Sequence, residues 1–243
     1  MTVLSLSAGN LPAGWWALIP TVVMIVLVFL GLQLLAFLRA QSERELRTLY
    51  QRDVDLYLER LENNKRLSLV FRRSMLLLYK LEGYMKTGQD DKILAVIRQL
   101  DGMRLPSRDK LLFCQQRLSY YVSVRDREQA VASRDALADF LKKSAADRTE
   151  RYQKVLRDAD QIIGVFLDRD TGLLPALTQE AAETADPTQR GILQYRIAVL
   201  YHFAGDENKV QVYLKRAAKN LKNTYYSVMI KEALQDPAAL ERQ

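Results

Sequence analysis

WWALIPTVVMIVLVFLGLQLLAFL, residues 15–38, contains no charged side chain, and Arg39 closes it. As a helix rising about 1.5 Å per residue it spans roughly 36 Å, enough to cross a ~30 Å hydrocarbon core with some tilt. Its middle, Val22 to Leu30, offers no group that needs a hydrogen-bond partner in lipid, and Gln33 is its strongly polar exception. Trp15 and Trp16 stand at one end, where indole rings favour the headgroup interface. Pro20 either opens the regular helix or sits in a slightly kinked first turn. A cleaved export signal would have a basic start, a shorter core and a small-residue cleavage site. None of these is present, because residues 1–14 carry no Lys or Arg and Leu38-Arg39-Ala40 is a poor site. The stretch therefore reads as a single transmembrane helix.

Outward from it, charge sets a direction. Arg39, Arg44, Arg47 and Arg52 follow closely, whereas nothing basic precedes Trp15. Positive charge stays on the cytoplasmic side, so residues 1–14 are expected outside and everything after 38 in the cytosol. The one cysteine, Cys114, agrees, since a lone thiol closes no intramolecular disulfide.

The remaining chain is poor in Gly and Pro, and its apolar residues recur every three or four positions, as in Val54, Tyr57, Leu58, Leu61 and in Leu193, Ile197, Leu200, Tyr201. No segment alternates as a strand would, so the body is expected to be all-α. Residues 39–65 form a charged juxtamembrane stalk. In it Tyr50, Val54, Tyr57 and Leu61 have the spacing of a coiled-coil seam, or of a stripe packed on the first helical hairpin. Residues 66–243 fall into helices separated by turns at Thr87–Asp91, Arg125–Glu128, Asp168–Gly172 and Gly205–Asn208, with longer breaks near Gly102–Ser107, Lys143–Asp147, Ala185–Pro187 and Asn220–Thr224. In such turns Gly closes one helix with positive φ and Asp caps the next. Four hairpins follow, their turns about 37, 44 and 36 residues apart, a helical-repeat period.

The last hairpin resembles a tetratricopeptide repeat. Ile197 and Ala198 stand where that motif has Leu and Gly, Tyr201 is its aromatic, Gly205-Asp206 its turn, and Val210, Leu214 and Ala217 its second-helix positions. The second hairpin matches through Tyr121, Asp126 and Ala130, and the first through Tyr84 and Gly88, with Ile93 where a small residue belongs. The third offers only its turn. Gln194 replaces the motif's Trp, and no Pro closes the unit. The likeness covers roughly 66–235, is specific at 192–221, and fits a degenerate helical-hairpin solenoid equally well. It implies a right-handed array sealed by a terminal helix at Thr224–Leu234. It also implies a groove lined by first helices, through Gln115, Ser119 and Val122 on the second hairpin and Ile192, Tyr195, Val199 and His202 on the last. Inter-repeat packing is the competing reading for these seven.

No phosphate-binding glycine loop, HExxH, paired CxxC or Gly-x-Ser-x-Gly occurs. With one histidine, His202, multi-histidine metal sites are excluded. Cys114 after Leu111-Leu112-Phe113 reads as a buried small side chain. Asp170-Thr171-Gly172 looks like an aspartic-protease triplet but joins two helices, and a calcium loop starting at Asp168 would need an acid where Gln179 stands. No catalytic residue, cofactor or metal is expected.

The net charge of +7 is spread thinly, with 11 Lys/Arg against 7 Asp/Glu in residues 39–86 and 25 against 22 beyond. Lys209, Lys215, Arg216, Lys219 and Lys222 form one denser patch. It either complements a helix dipole or meets anionic lipid or an acidic segment, while nucleic acid is disfavoured for want of a recognition motif. The reading is a single-pass membrane scaffold whose cytosolic solenoid binds a protein or peptide. Its alternative is a structural subunit that oligomerises through stalk and solenoid.

Overall fold

The computed structural model describes residues 15–143, 150–222 and 226–241. Among them every regular element is a helix, and the chain divides into two compact units, through Met103 and from Arg104. The N-terminal stretch 1–14 and the side chains of Trp15 and Trp16 lie outside the described part, as do portions of the breaks expected after Lys143 and Asn220.

In the first unit, α1 (Trp15–Arg52) carries Pro20 inside it rather than at its first residue. From Pro20 it is long and apolar enough to cross a membrane, and none of its most apolar window is buried. The helix continues past Arg39 for three more turns and stops where Asp53 turns extended (φ −152°). There the Asp53 carboxylate accepts the Leu56 N–H at 3.0 Å and caps α2 (Val54–Asn63). Asp favours this cap because its short carboxylate satisfies an N–H that the helix leaves unpaired. A four-residue helix, α3 (Leu67–Val70), follows, then the hairpin of α4 (Arg73–Thr87) and α5 (Asp90–Asp101).

The expected stalk is thus two helices, and its stripe is divided between them. Tyr50 lies on α1, whereas Tyr57, Leu58 and Leu61 are buried on α2. Tyr57 donates its hydroxyl to the Tyr79 carbonyl (3.0 Å) and Tyr84 donates to Glu62 (2.6 Å), so α2 packs on α4. Gly83 makes the approach possible, since a Cβ there would stand 2.6 Å from Leu58 Cδ2. Packing on the hairpin is therefore the reading of the stripe that holds. Burial, then nearby Glu82, holds the Tyr57 phenol far above its usual range, and burial raises the Glu82 carboxyl.

The lower part of α1 is docked rather than free. Leu46 is buried, Glu45 pairs with Arg60 (2.8 Å), and Lys86 donates to the Tyr50 carbonyl (2.6 Å) while sitting over its ring. Arg39 lies over the Phe71 ring, 5.8 Å from its centroid.

The second unit contains α6 (Ser107–Ser123), α7 (Arg127–Lys143), α8 (Glu150–Phe166), a 3-10 turn at Thr171–Leu173, α9 (Leu174–Glu183), α10 (Pro187–Phe203), α11 (Glu207–Asn220) and α12 (Tyr226–Gln235), then a final 3-10 turn at Pro237–Glu241. The four expected turns are all present. Gly88 and Gly205 take positive φ (66° and 76°), and at the other two turns Arg125 and Arg169 occupy that left-handed position instead (60° and 55°). Asp126 and Asp206 cap α7 and α11 through the Gln129 and Lys209 N–H groups (3.0 and 3.1 Å). Asp170 accepts from Gly172 (2.9 Å), so the Asp-Thr-Gly triplet is a helix cap.

Pairing is regular in α6 with α7 and α10 with α11, but α9 packs chiefly on α10 rather than on α8. One core gathers Cys114, Leu118, Ala130, Leu137 and Ile163, and another gathers Leu177, Leu193, Tyr195, Leu200, Val210, Leu214 and Ile230. Phe166 packs against both.

Candidate functional site

The hairpin of α10 and α11 is built around contact too close for an ordinary side chain. A Cβ on Gly191 would stand 2.6 Å from Leu221 Cγ and 2.9 Å from Asn220 Cβ. Residues 195–200 are buried without a break, so the middle of α10 has no outward face. Apolar side chains all round a helix signal burial all round, and Ile197-Ala198-Val199-Leu200 carries that signal.

This places the seven groove candidates unevenly. Tyr195 and Val199 are interior, 0% and 1% exposed, and Val122 is buried at 8%. Tyr195 meets Tyr226 of α12 edge-on (5.5 Å between centroids) and Phe166 of α8 (6.4 Å), so the terminal helix covers that face. Ile192 and Gln115 are half-buried, and Ser119 is exposed. His202, half-buried, holds Nδ1 3.2 Å from Glu207 and Nε2 3.2 Å from Glu241, tying α10 to α11 and to the final 3-10 turn. The structure therefore does not bring the seven together on one open surface.

The basic candidates are all exposed. Val212, Lys215 and Lys219 step by three and four along α11, which puts them on one stripe; Val212 is 45% exposed, and Lys222 follows just after the helix ends at Asn220. Among the described residues no carboxylate lies within ion-pair distance of Lys215, Arg216, Lys219 or Lys222. Lys209 differs, pairing with Asp206 at 3.0 Å over the Tyr201 ring. That hydrogen bond holds the Asp206 carboxyl below its ordinary range and raises the Lys209 ammonium. Lys231 of α12 joins Lys222 across a cleft of about 230 Å³ lined also by Ala218 and Ser227. No spacing along the chain announces Lys231, because only the packing of α12 on α11 brings it there.

No family model, curated protein or solved structure matches this chain.

The carboxylates of α8 and the following turn line a cleft of about 340 Å³ with Arg134, Gly164 and Leu173. Two of them, Asp160 and Asp168, are matched by cations. Arg134 forks onto Asp160 (2.7 and 3.2 Å), and Arg127 reaches Asp168 (2.7 Å), raising both guanidinium pKa values and clamping α7 to α8. Arg196 is a polar centre that helical periodicity does not reveal. Only 3% exposed, it donates to Asp158 (2.7 Å) and Gln161 (2.9 Å), and Gln161 donates to Glu180 (2.7 Å). The network joins α8, α9 and α10. Among the described residues no three His, Cys, Asp or Glu side chains converge as metal ligands would.

Proposed function

We propose that this protein is a single-pass membrane-anchored scaffold, without catalytic activity, whose helical body lies in the cytosol and binds an acidic segment of a protein partner. We read the hairpins α6–α7 and α10–α11 of the second unit as degenerate tetratricopeptide-like repeats, the last of them closed by α12. Supporting that reading are the fully buried Ala198 and Ala217, the left-handed Gly205 turn, and the close approach of α10 to α11 at Gly191.

The observation that carries the function is the α11 stripe. Lys215 and Lys219 on the face of the exposed Val212, with Lys222 just past the helix end, meet no carboxylate among the described residues and suit a segment that carries acids beside an apolar side chain. Charges so placed steer encounter and select partners more than they add raw affinity. Oligomerisation through the stalk gains no support from residues 54–61, since Tyr57, Leu58 and Leu61 are consumed inside the chain.

A photo-crosslinking residue replacing Val212 in living cells is expected to trap a small set of proteins. Charge reversal at Lys215, Lys219 and Lys222 should remove those adducts without unfolding the protein: the side chains are exposed, and reversal against the dipole at the end of α11 costs on the order of 1 kcal/mol each, against about 5–15 kcal/mol for a whole domain. Adducts to lipid alone, or adducts that persist after charge reversal, contradict the reading.

A further inference from the structure

The segment around α3 is small and stands out in one respect. Leu67 and Phe71 are both 4% exposed, while Leu69 between them is 77% exposed, more than any other large apolar side chain described outside or inside α1. Residues four apart on a helix share a face and a residue two away does not, so the packing that buries Leu67 and Phe71 turns Leu69 outward. A single exposed leucine is ordinary on a soluble surface. This one is placed unusually.

Arg39 is the first charge after the apolar run, and its guanidinium lies 5.8 Å from the centre of the Phe71 ring. With α3 packed on α1, that contact sets residues 67–71 beside the boundary where the apolar run ends. Lys65, Arg66, Arg72 and Arg73 bracket α3 and are exposed, and among the described residues none has a carboxylate within ion-pair distance. Basic side chains around an apolar one, at the depth where a span leaves the bilayer, match the composition that binds an anionic membrane surface.

We infer that residues 65–73 form a second membrane contact, with Leu69 entering the acyl boundary and Lys65, Arg66, Arg72 and Arg73 meeting anionic phospholipid headgroups. The occupant of this surface is the bilayer that α1 crosses, so the inference rests on reading α1 as a span. The contact fixes the first unit against the membrane: α1 alone leaves the unit free to tilt and rotate, and a second point does not. Cations near an anionic leaflet gain attraction that fades within a Debye length, so the contact weakens in neutral lipid and at high salt.

The test uses the full chain in liposomes, with an environment-sensitive fluorophore on Leu69→Cys and, for comparison, on the exposed Asp91→Cys. Cys114 is 0% exposed, and labelling of the unsubstituted chain sets the background. Alkaline carbonate extraction precedes the measurement. In vesicles containing phosphatidylglycerol, the probe at position 69 is expected to emit blue-shifted light quenched by nitroxide lipids, and the probe at position 91 is not. Arg72→Gln with Arg73→Gln should diminish the shift, as should vesicles of phosphatidylcholine alone. Protein retained after carbonate with a water-exposed probe at position 69 overturns this contact and leaves the span standing. Burial indifferent to anionic lipid and to the two arginines overturns the headgroup assignment. Release of the unsubstituted chain by carbonate overturns the span, and this contact with it.

Discussion

A chain carrying Val26→Arg and Phe29→Arg is expected to leave the membrane fraction. Each arginine at the centre of a spanning helix costs about 2.5–3.5 kcal/mol, whereas each Leu, Ile, Phe or Val contributes about 0.3–0.6 kcal/mol. Two arginines therefore cost roughly 5–7 kcal/mol, against a favourable sum of about 4–9 kcal/mol for the run's branched and aromatic residues. At the middle of those ranges, about 6 against about 6.5 kcal/mol, the margin for insertion is nearly gone. Both positions are exposed along α1 and touch no core, so the helical body is left unaffected. Arginines at Thr48 and Gln51, on the same helix but beyond the apolar run, should leave the protein in the membrane. Carbonate extraction followed by blotting reads the result. A central double-arginine variant that stays in the pellet contradicts the reading of α1.

Tyr195→Ala is expected to destabilise the second unit by about 3–5 kcal/mol, the usual cost of deleting a large aromatic from a packed core. Tyr195 is fully buried between Tyr226 and Phe166, and the cavity left by its ring is bordered by α8, α10 and α12. A domain's whole stability is about 5–15 kcal/mol, so this loss is a large share of it. It should appear as a lower midpoint in urea with little change in slope. Ser119→Ala, at the exposed candidate position on α6, should stay within about 0.5 kcal/mol of the parent. A Tyr195→Ala midpoint equal to the parent's would return Tyr195 to the surface and reopen the groove that the tetratricopeptide likeness implies.

The contrast between those two residues shows what can be read along a chain. Helices and their turns are local, and the Gly205-Asp206 turn announces itself because φ > 0 and a side-chain cap are demands on particular residue types. The long apolar stretch before Arg39 is local for the same reason. Which face of a helix is covered is a matter of neighbours. Helical spacing puts Tyr195 and Val199 on one side of α10, but only α8 and α12, drawn from elsewhere in the chain, decide that this side is interior. The break at Asp53 was hidden inside continuous periodicity: the apolar spacing of Tyr50, Val54, Tyr57 and Leu61 runs straight across it, and the cap shows only once the backbone turns extended.

Charge behaves in the same way. Arg127, Arg134 and Arg196 look like ordinary surface cations in the chain, yet each is spent on a carboxylate of α8 or the turn after it. Lys215 and Lys219 of α11 and Lys222 just after it meet no such partner among the described residues, and Lys231 reaches Lys222 through folding. Net charge alone therefore understates the α11 face, since Arg127, Arg134 and Arg196 are neutralised by packing whereas Lys215, Lys219 and Lys222 meet no carboxylate among the described residues.

The central claim is that α1 crosses the membrane and leaves the helical body in the cytosol. Cysteine accessibility tests it most directly, with a membrane-impermeant maleimide applied to intact cells expressing Ser7→Cys or Asn208→Cys. Ser7 precedes α1 and Asn208 is exposed at the start of α11. Cysteine at position 7 should label in intact cells, and cysteine at position 208 only after the membrane is permeabilised. Labelling at position 208 in intact cells, with position 7 protected, would contradict the account.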